Sequence, residues 1–148
     1  MQTTPYRLYN GIAPIRDDSI ALLNHIVVGN KFRAAEVQAI WAAAYLDKQL
    51  ALPSLQQREA DIALTTAWSR RRYLSNGEWG NCMTFETISY TDKLLQELGF
   101  SSHRKGWLSN FFTPCTARDL GGIRGEYMAK YGSDAGKIDQ GHPDEWSP

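Results

Sequence analysis

Residues 20–50 decide how this chain is read: Ile20-Ala-Leu-Leu-Asn-His-Ile-Val-Val-Gly-Asn30, then Lys31-Phe-Arg-Ala-Ala-Glu-Val-Gln-Ala-Ile-Trp-Ala-Ala-Ala-Tyr-Leu-Asp-Lys-Gln-Leu50. The first part, Ile20–Val28, is apolar and partly β-branched, long enough for one buried strand and short for a helix. Gly29-Asn30 interrupts it. From about Arg33, the residues Val37, Ile40, Trp41 and Ala44 recur at the i, i+3, i+4, i+7 spacing that sets them on one helix face. The pattern predicts a strand that turns sharply into a helix. The first turn of such a helix leaves about four backbone N–H groups without intrahelical partners and carries a partial positive charge, which suits an oxyanion, a carbonyl or a phosphate. An ordinary strand–helix packing unit has the same spacing, so the pattern alone assigns no ligand.

Before this stretch, Tyr6–Tyr9 and Ile12–Ile15 flank Asn10-Gly11, a favoured two-residue hairpin turn, and Pro14 confines the second arm to an edge. After it, the helix is expected to end before Pro53. Ser54-Leu55-Gln56-Gln57 fits a capping box that opens a second helix, about Leu55–Ser75, stopped by Asn76-Gly77. Ile62, Thr66, Ser69 and Tyr73 share one stripe of that helix, and the Arg70-Arg71-Arg72 run reads as a solvated face. Gly77–Met83 reads as a loop carrying Trp79. A third helix, about Glu86–Leu98, closes at Gly99. Ser101–Gly106 is a polar connection, Trp107–Phe112 a short apolar turn or helix, and Thr116–Tyr131 a last helix ended by Gly132. The expected class is mainly α with a small β element (α+β), in one compact domain over residues 1–132 with a flexible polar tail over 133–148.

Composition narrows the function classes. Sixteen Lys and Arg balance sixteen Asp and Glu, so there is no basic excess to meet the phosphates of a nucleic acid. No apolar run reaches the ~18 residues of a membrane span, and the polar Met1–Tyr6 has no signal-peptide core. Cys82 and Cys115 form no C-x-x-C and have no metal-ligand spacing. A reduced, cytoplasmic protein without metal is the expectation. Five Trp, seven Tyr and five Phe in 148 residues furnish either an aromatic core or an aromatic-walled cavity.

Three segments carry a resemblance. Val28–Ala42, with its Glu36-Val37-Gln38-Ala39-Ile40-Trp41-Ala42 run, resembles the strand-turn-helix near the end of flavin-containing monooxygenases, especially fungal ones. Leu50-Ala51-Leu52-Pro53-Ser54 is similar to the link that leads into their next long helix. Tyr90-Thr91-Asp92-Lys93-Leu94-Leu95-Gln96-Glu97-Leu98-Gly99 resembles their Y-x-D-x-L-L-x-x-L-G segment. The resemblance runs from about Leu8 to Gly132 and implies the C-terminal end of that fold. The family holds its dinucleotides through two G-x-G-x-x-G turns between strand and helix. This sequence contains neither, and Gly121-Gly122-Ile123-Arg124-Gly125 has the wrong spacing. The expectation is therefore kinship without self-sufficient monooxygenase activity and without a cofactor.

In that family the turn near Gly29 faces the flavin ring, so the resemblance implies a cavity beside the helix start. His25, Asn30 and Arg33 are the candidate catalytic residues. A neutral imidazole at His25 serves as a base near pH 7; a histidine bonded to a neighbouring group is the plainer role. Arg33 would hold an enolate or carboxylate, or stand on the surface of a first turn. Asn30 suits turn conformation as well as contact. Asn24, Glu36, Trp41, Trp79 and Tyr90 are the candidate substrate-binding residues. No G-x-S-x-G, H-E-x-x-H or spaced Cys/His pair is present. The favoured function is a cofactor-independent cyclase or isomerase acting on an apolar secondary metabolite; the alternatives are a non-catalytic metabolite-binding or partner module and a truncated monooxygenase subunit that needs another chain. A homodimer is expected, paired through the edge of the Ile20–Val28 strand.

Overall fold

The structure, a computed structural model, describes residues 7–74, 77, 79–100 and 122–135. Its elements in order are β1 (Leu8–Tyr9), β2 (Ala13–Pro14), β3 (Val27–Val28), α1 (Lys31–Leu46), α2 (Leu55–Arg72), β4 (Cys82–Met83), α3 (Thr87–Glu97) and α4 (Ile123–Ala135). The class is mainly α with a small β element, as the patterning predicts. The readings of Ser101–Gly106, of Trp107–Phe112, of the start of the last helix and of the tail past Ala135 lie outside the described residues.

The hairpin forms because Asn10 and Gly11 both take positive φ, 53° and 67°, as a type I′ turn requires. The Ile12 N–H closes the turn on the Tyr9 carbonyl at 3.0 Å. The ladder pairs Leu8 with Pro14 and Tyr9 with Ala13, so Ile12 joins the loop rather than the second strand. A Cβ on Gly11 would fall 2.3 Å from Ile26 Cγ1, so the tip lies backbone-first on that side chain and only glycine fits.

The long strand expected over Ile20–Val28 does not form. Asn24 sits at φ 61°, which breaks an extended run, and its N–H goes to Gln38 Oε1 at 2.9 Å instead of to a neighbouring strand. Ile20, Leu22 and Leu23 are left 41–48% exposed. Only Val27–Val28 is a strand, and it pairs in parallel with Cys82–Met83, inside the segment read as a loop.

Helix α1 begins at Lys31, with the Asn30 side chain accepting the Arg33 N–H at 3.1 Å. It ends at Leu46, well before Pro53. Lys48 takes φ 57°, the Gln49 N–H reaches the Ala44 carbonyl and the Lys48 N–H the Tyr45 carbonyl. This is a Schellman closure with lysine where glycine is usual. Helix α3 closes the same way through Gly99, at φ 70°. Val37, Trp41 and Ala44 of α1 meet Leu94, Leu95 and Leu98 of the α3 end, with Ile12 and Ile123 completing a fully buried group. Each large aliphatic so buried contributes about 1.5–3 kcal/mol relative to exposure. Helix α4 continues past Gly132 to Ala135, held on its inner side by Tyr131 and Lys130, which both donate to the Leu98 carbonyl.

Helix α2 differs from the others. It opens with the expected capping box at Ser54 and Gln57, but among its residues only Ser69 is buried. Polar ties hold it: Arg7 to Glu59 at 2.9 Å, Lys93 to Asp61 at 2.7 Å, and the Ser69 hydroxyl, which donates to the Cys82 carbonyl and accepts the Cys82 N–H.

One carboxylate joins the layers. Glu97 Oε1 accepts the Tyr9 hydroxyl at 2.7 Å, and Oε2 accepts the Asn10 amide at 2.7 Å and the Trp41 indole N–H at 2.8 Å. The hairpin, α1 and α3 thus converge on a single side chain. Glu97→Ala strands all three donors, at about 1–3 kcal/mol for each one left unsatisfied. Urea unfolding followed by tryptophan fluorescence is expected to show a loss of at least ~3 kcal/mol, with Glu97→Gln losing less because it keeps a carbonyl acceptor. Equal stability of Glu97→Ala and the parent would contradict this assignment.

Candidate functional site

Helix α2 packs on the core through Ile62 and is otherwise tied by polar groups, and a gap of about 250 Å³ opens between α2 and α3. The hairpin residues Leu8, Asn10 and Gly11 and the segment 79–83 contribute to its lining. Trp68, Ile62, Ile26 and Met83 give it apolar walls, and the lining residues Trp68 and Trp79 are 40% and 46% exposed. His25, Asp61, Glu86, Tyr90 and Lys93 bring the polar and ionisable groups.

Of the residues singled out from sequence, His25, Trp79 and Tyr90 line this cavity. The others lie elsewhere. Asn30 is the cap of α1. Glu36 is exposed on α1. Asn24 serves the fold through its backbone N–H. Trp41 is fully buried, stacked on Tyr45 at 5.4 Å and bonded to Glu97. Arg33 is 2% exposed, donates from Nε to the Thr91 hydroxyl at 3.0 Å and pairs with Asp92 at 3.6 Å. The start of α1 is turned toward protein groups too: the Gly29 N–H meets the Thr84 carbonyl and the Thr87 hydroxyl, which the Asn30 N–H also approaches. Sequence reading missed Asp61, Trp68, Glu86 and Lys93. Their spacing carried a signal, since 61, 65 and 68 share one face of α2, and 86, 89, 90 and 93 one face at α3.

Comparison with known proteins gives this arrangement a setting. An FAD-dependent monooxygenase of Aspergillus nomiae, rstn6, is 33% identical over 136 residues, which are 86% of this chain and 23% of that protein. The FAD-dependent monooxygenase resA of Aspergillus sclerotiorum is 35% identical over 133 residues, 84% of this chain and 22% of its own. The FAD-dependent monooxygenase DEP4 of Alternaria brassicicola is 32% identical over 112 residues, 75% and 19%. The chain is homologous to part of the FAD-dependent monooxygenases. It spans about a fifth of the length of these relatives. No family model and no solved structure matches it significantly.

Among the described residues of this monooxygenase homologue, no group of His, Cys, Asp and Glu is placed to hold a metal ion, and no helix is long and apolar enough to cross a membrane. Cys82 is a free, buried thiol. The cavity's phenol is already engaged: Tyr90 donates to the Asn10 carbonyl at 2.9 Å and accepts from the Gln38 amide at 2.8 Å. It therefore offers a ligand its ring. Burial raises its pKa well above the ordinary phenol range. Burial likewise raises Tyr9, helped by the Glu97 carboxylate that accepts its proton.

Two outcomes follow from these placements. Arg33→Ala is expected to cost roughly 3 kcal/mol of stability through lost packing, a lost hydrogen bond and the charge left on Asp92, with ligand affinity at the α2–α3 cavity unchanged. Thermal unfolding and a binding titration of the same variant check both halves. Secondly, Tyr9 and Tyr90 keep their protons in the fold at a pH where the unfolded chain loses them. Their contribution is complete below about pH 10 and is lost as pH rises further. The urea midpoint should fall between pH 9 and pH 11, and a flat midpoint would overturn the assignment.

Proposed function

We propose that this chain is a metabolite-binding unit of FAD-dependent monooxygenase kinship, whose α2–α3 cavity receives one end of an apolar small molecule. The observation that carries this reading is the cavity itself, lined by aromatic and aliphatic side chains and supplied with a few polar groups. At about 250 Å³ it is smaller than the ~300–1,000 Å³ usual for whole ligands. It suits a ring or a chain end rather than an entire polycyclic product. Flavin does not fit the described residues. The sequence has no G-x-G-x-x-G turn, and the Gly29 and Asn30 N–H groups are directed at Thr84 and Thr87 rather than outward to a pyrophosphate. On this reading any flavin chemistry depends on other polypeptide.

A second reading, a cofactor-independent cyclase or isomerase, is favoured by one specific feature. His25 and Glu86 line the same apolar cavity, so groups able to move a proton stand beside a site that restrains a ligand's shape. Conversion of a diene or polyene metabolite by the flavin-free chain is the result that this reading requires and the first does not. Either reading is compatible with a homodimer, for which the exposed Ile20, Leu22, Leu23 and Val27 supply an apolar face in place of the expected strand edge. Light scattering at micromolar concentration reports it as a mass of two chains.

The binding claim has a direct check. tert-Butylbenzene, titrated by ligand-observed NMR, is expected to bind the parent chain. Trp79→Ala removes one aromatic wall and should weaken binding about tenfold. Phe32→Ala, at an 89% exposed position outside the cavity, should leave it unchanged. Absence of binding, or equal effects of the two substitutions, contradicts the assignment.

A further inference from the structure

The cavity is not evenly charged. Its Lys93 is committed at the hairpin end, bonded to Asp61 at 2.7 Å and lying 5.2 Å above the Tyr9 ring. That pair is neutral as a unit. Glu86, at the α3 start, is placed differently. It accepts the Tyr73 hydroxyl. It pairs with Arg72 at 3.6 Å, a cation that does not line the cavity and is 56% exposed. This pair is longer than the 2.7 Å Lys93–Asp61 pair and its cation lies outside the cavity lining, so Glu86 is the less closely balanced of the two carboxylates.

One ring that lines the cavity, Trp68, stands near this carboxylate through Tyr73, which together with Phe85 lies outside the lining. Tyr73 meets Trp68 edge-on at 6.0 Å and stacks with Phe85 at 6.2 Å. The Tyr73 hydroxyl also accepts the Phe85 N–H at 3.1 Å, which fixes the ring against the start of α3. Trp68 and Glu86 both face the cavity. A carboxylate beside aromatic faces, in a partly desolvated recess, is the setting that attracts a cationic nitrogen through charge and through the ring quadrupoles together.

We propose that the Glu86 end of the cavity recognises an ammonium group carried by an otherwise apolar ligand. This rests on the cavity being the binding site, and it narrows the ligand to a basic nitrogen compound. Lys93 and Asp61 then mark the opposite end, where a cation gains nothing because the local charge is already balanced.

Two probes of the same shape test it. Phenyltrimethylammonium and tert-butylbenzene differ in a charged nitrogen against a carbon. Titrated into the whole chain at pH 8 and low salt, the cation is expected to bind about tenfold more tightly than the hydrocarbon. Glu86→Gln should abolish that preference. Tyr73→Phe breaks the same Tyr73–Glu86 hydrogen bond and keeps the charge, so it should retain the preference, which separates a charge effect from loosening of α2. Equal or weaker binding of the cation, with the hydrocarbon still bound, overturns the ammonium site and leaves the cavity reading intact. Failure of both probes to bind overturns both. A preference that survives Glu86→Gln also overturns the site.

Discussion

The shared acceptor at Glu97 is what the rest of this structure depends on. Its two oxygens take a phenol from β1, an amide from the hairpin turn and an indole N–H from α1. Without it, Tyr9 of β1, the turn at Asn10 and the buried Trp41 would each hold a donor with nowhere to go. A second chain of bonds runs beside it, from the Asn24 N–H to Gln38, from Gln38 to Tyr90, and from Tyr90 to the Asn10 carbonyl. Both networks meet at Asn10. The two segments before α1 are therefore docked on the helical pair by directed polar contacts as well as by apolar burial.

The cavity is a consequence of the same division of labour. α1 and α3 bury their apolar faces in each other, while α2 has little apolar face to bury and is pinned at Glu59, Asp61 and Ser69. A helix held by a few fixed points stands off from its neighbour, and the space left takes its character from whatever projects into it. Here that is Trp68 and Ile62 from α2 and Tyr90 and Lys93 from α3.

Much of the helical framework was legible in sequence because its signals are local. The Ser54–Gln57 capping box, the Asn30 cap at the start of α1 and the Gly99 closure of α3 each depend on a few adjacent residues. The failures have long-range or conformational causes. Nothing in an apolar run announces that Asn24 will take a positive φ, so Ile20–Val28 read as a strand. Helix α1 ends before Pro53, as read, but its exact end at Leu46 had no glycine to mark it, because Lys48 takes the conformation normally given to glycine. β4 pairs with a strand more than fifty residues away, and two residues carry no periodicity. The candidate site was partly legible: His25 was chosen near the turn, Trp79 in a loop and Tyr90 at the start of the third helix, and all three line the cavity. Arg33 and Trp41 were chosen with them, but the burial of an arginine against Thr91 and of an indole against Glu97 depends on α3, which the local pattern does not contain.

The central claim is that α2 is a polar-tethered helix over a ligand cavity while α1 and α3 form the core. Amide hydrogen exchange tests it most directly, because exchange resolves opening energies element by element. Amides in α1 and α3 should exchange only through global unfolding. Those in the middle of α2, around Ala63 to Ala67, should exchange faster and should slow when tert-butylbenzene is added. Protection in α2 equal to that in α1, and unchanged by the probe, would contradict the account.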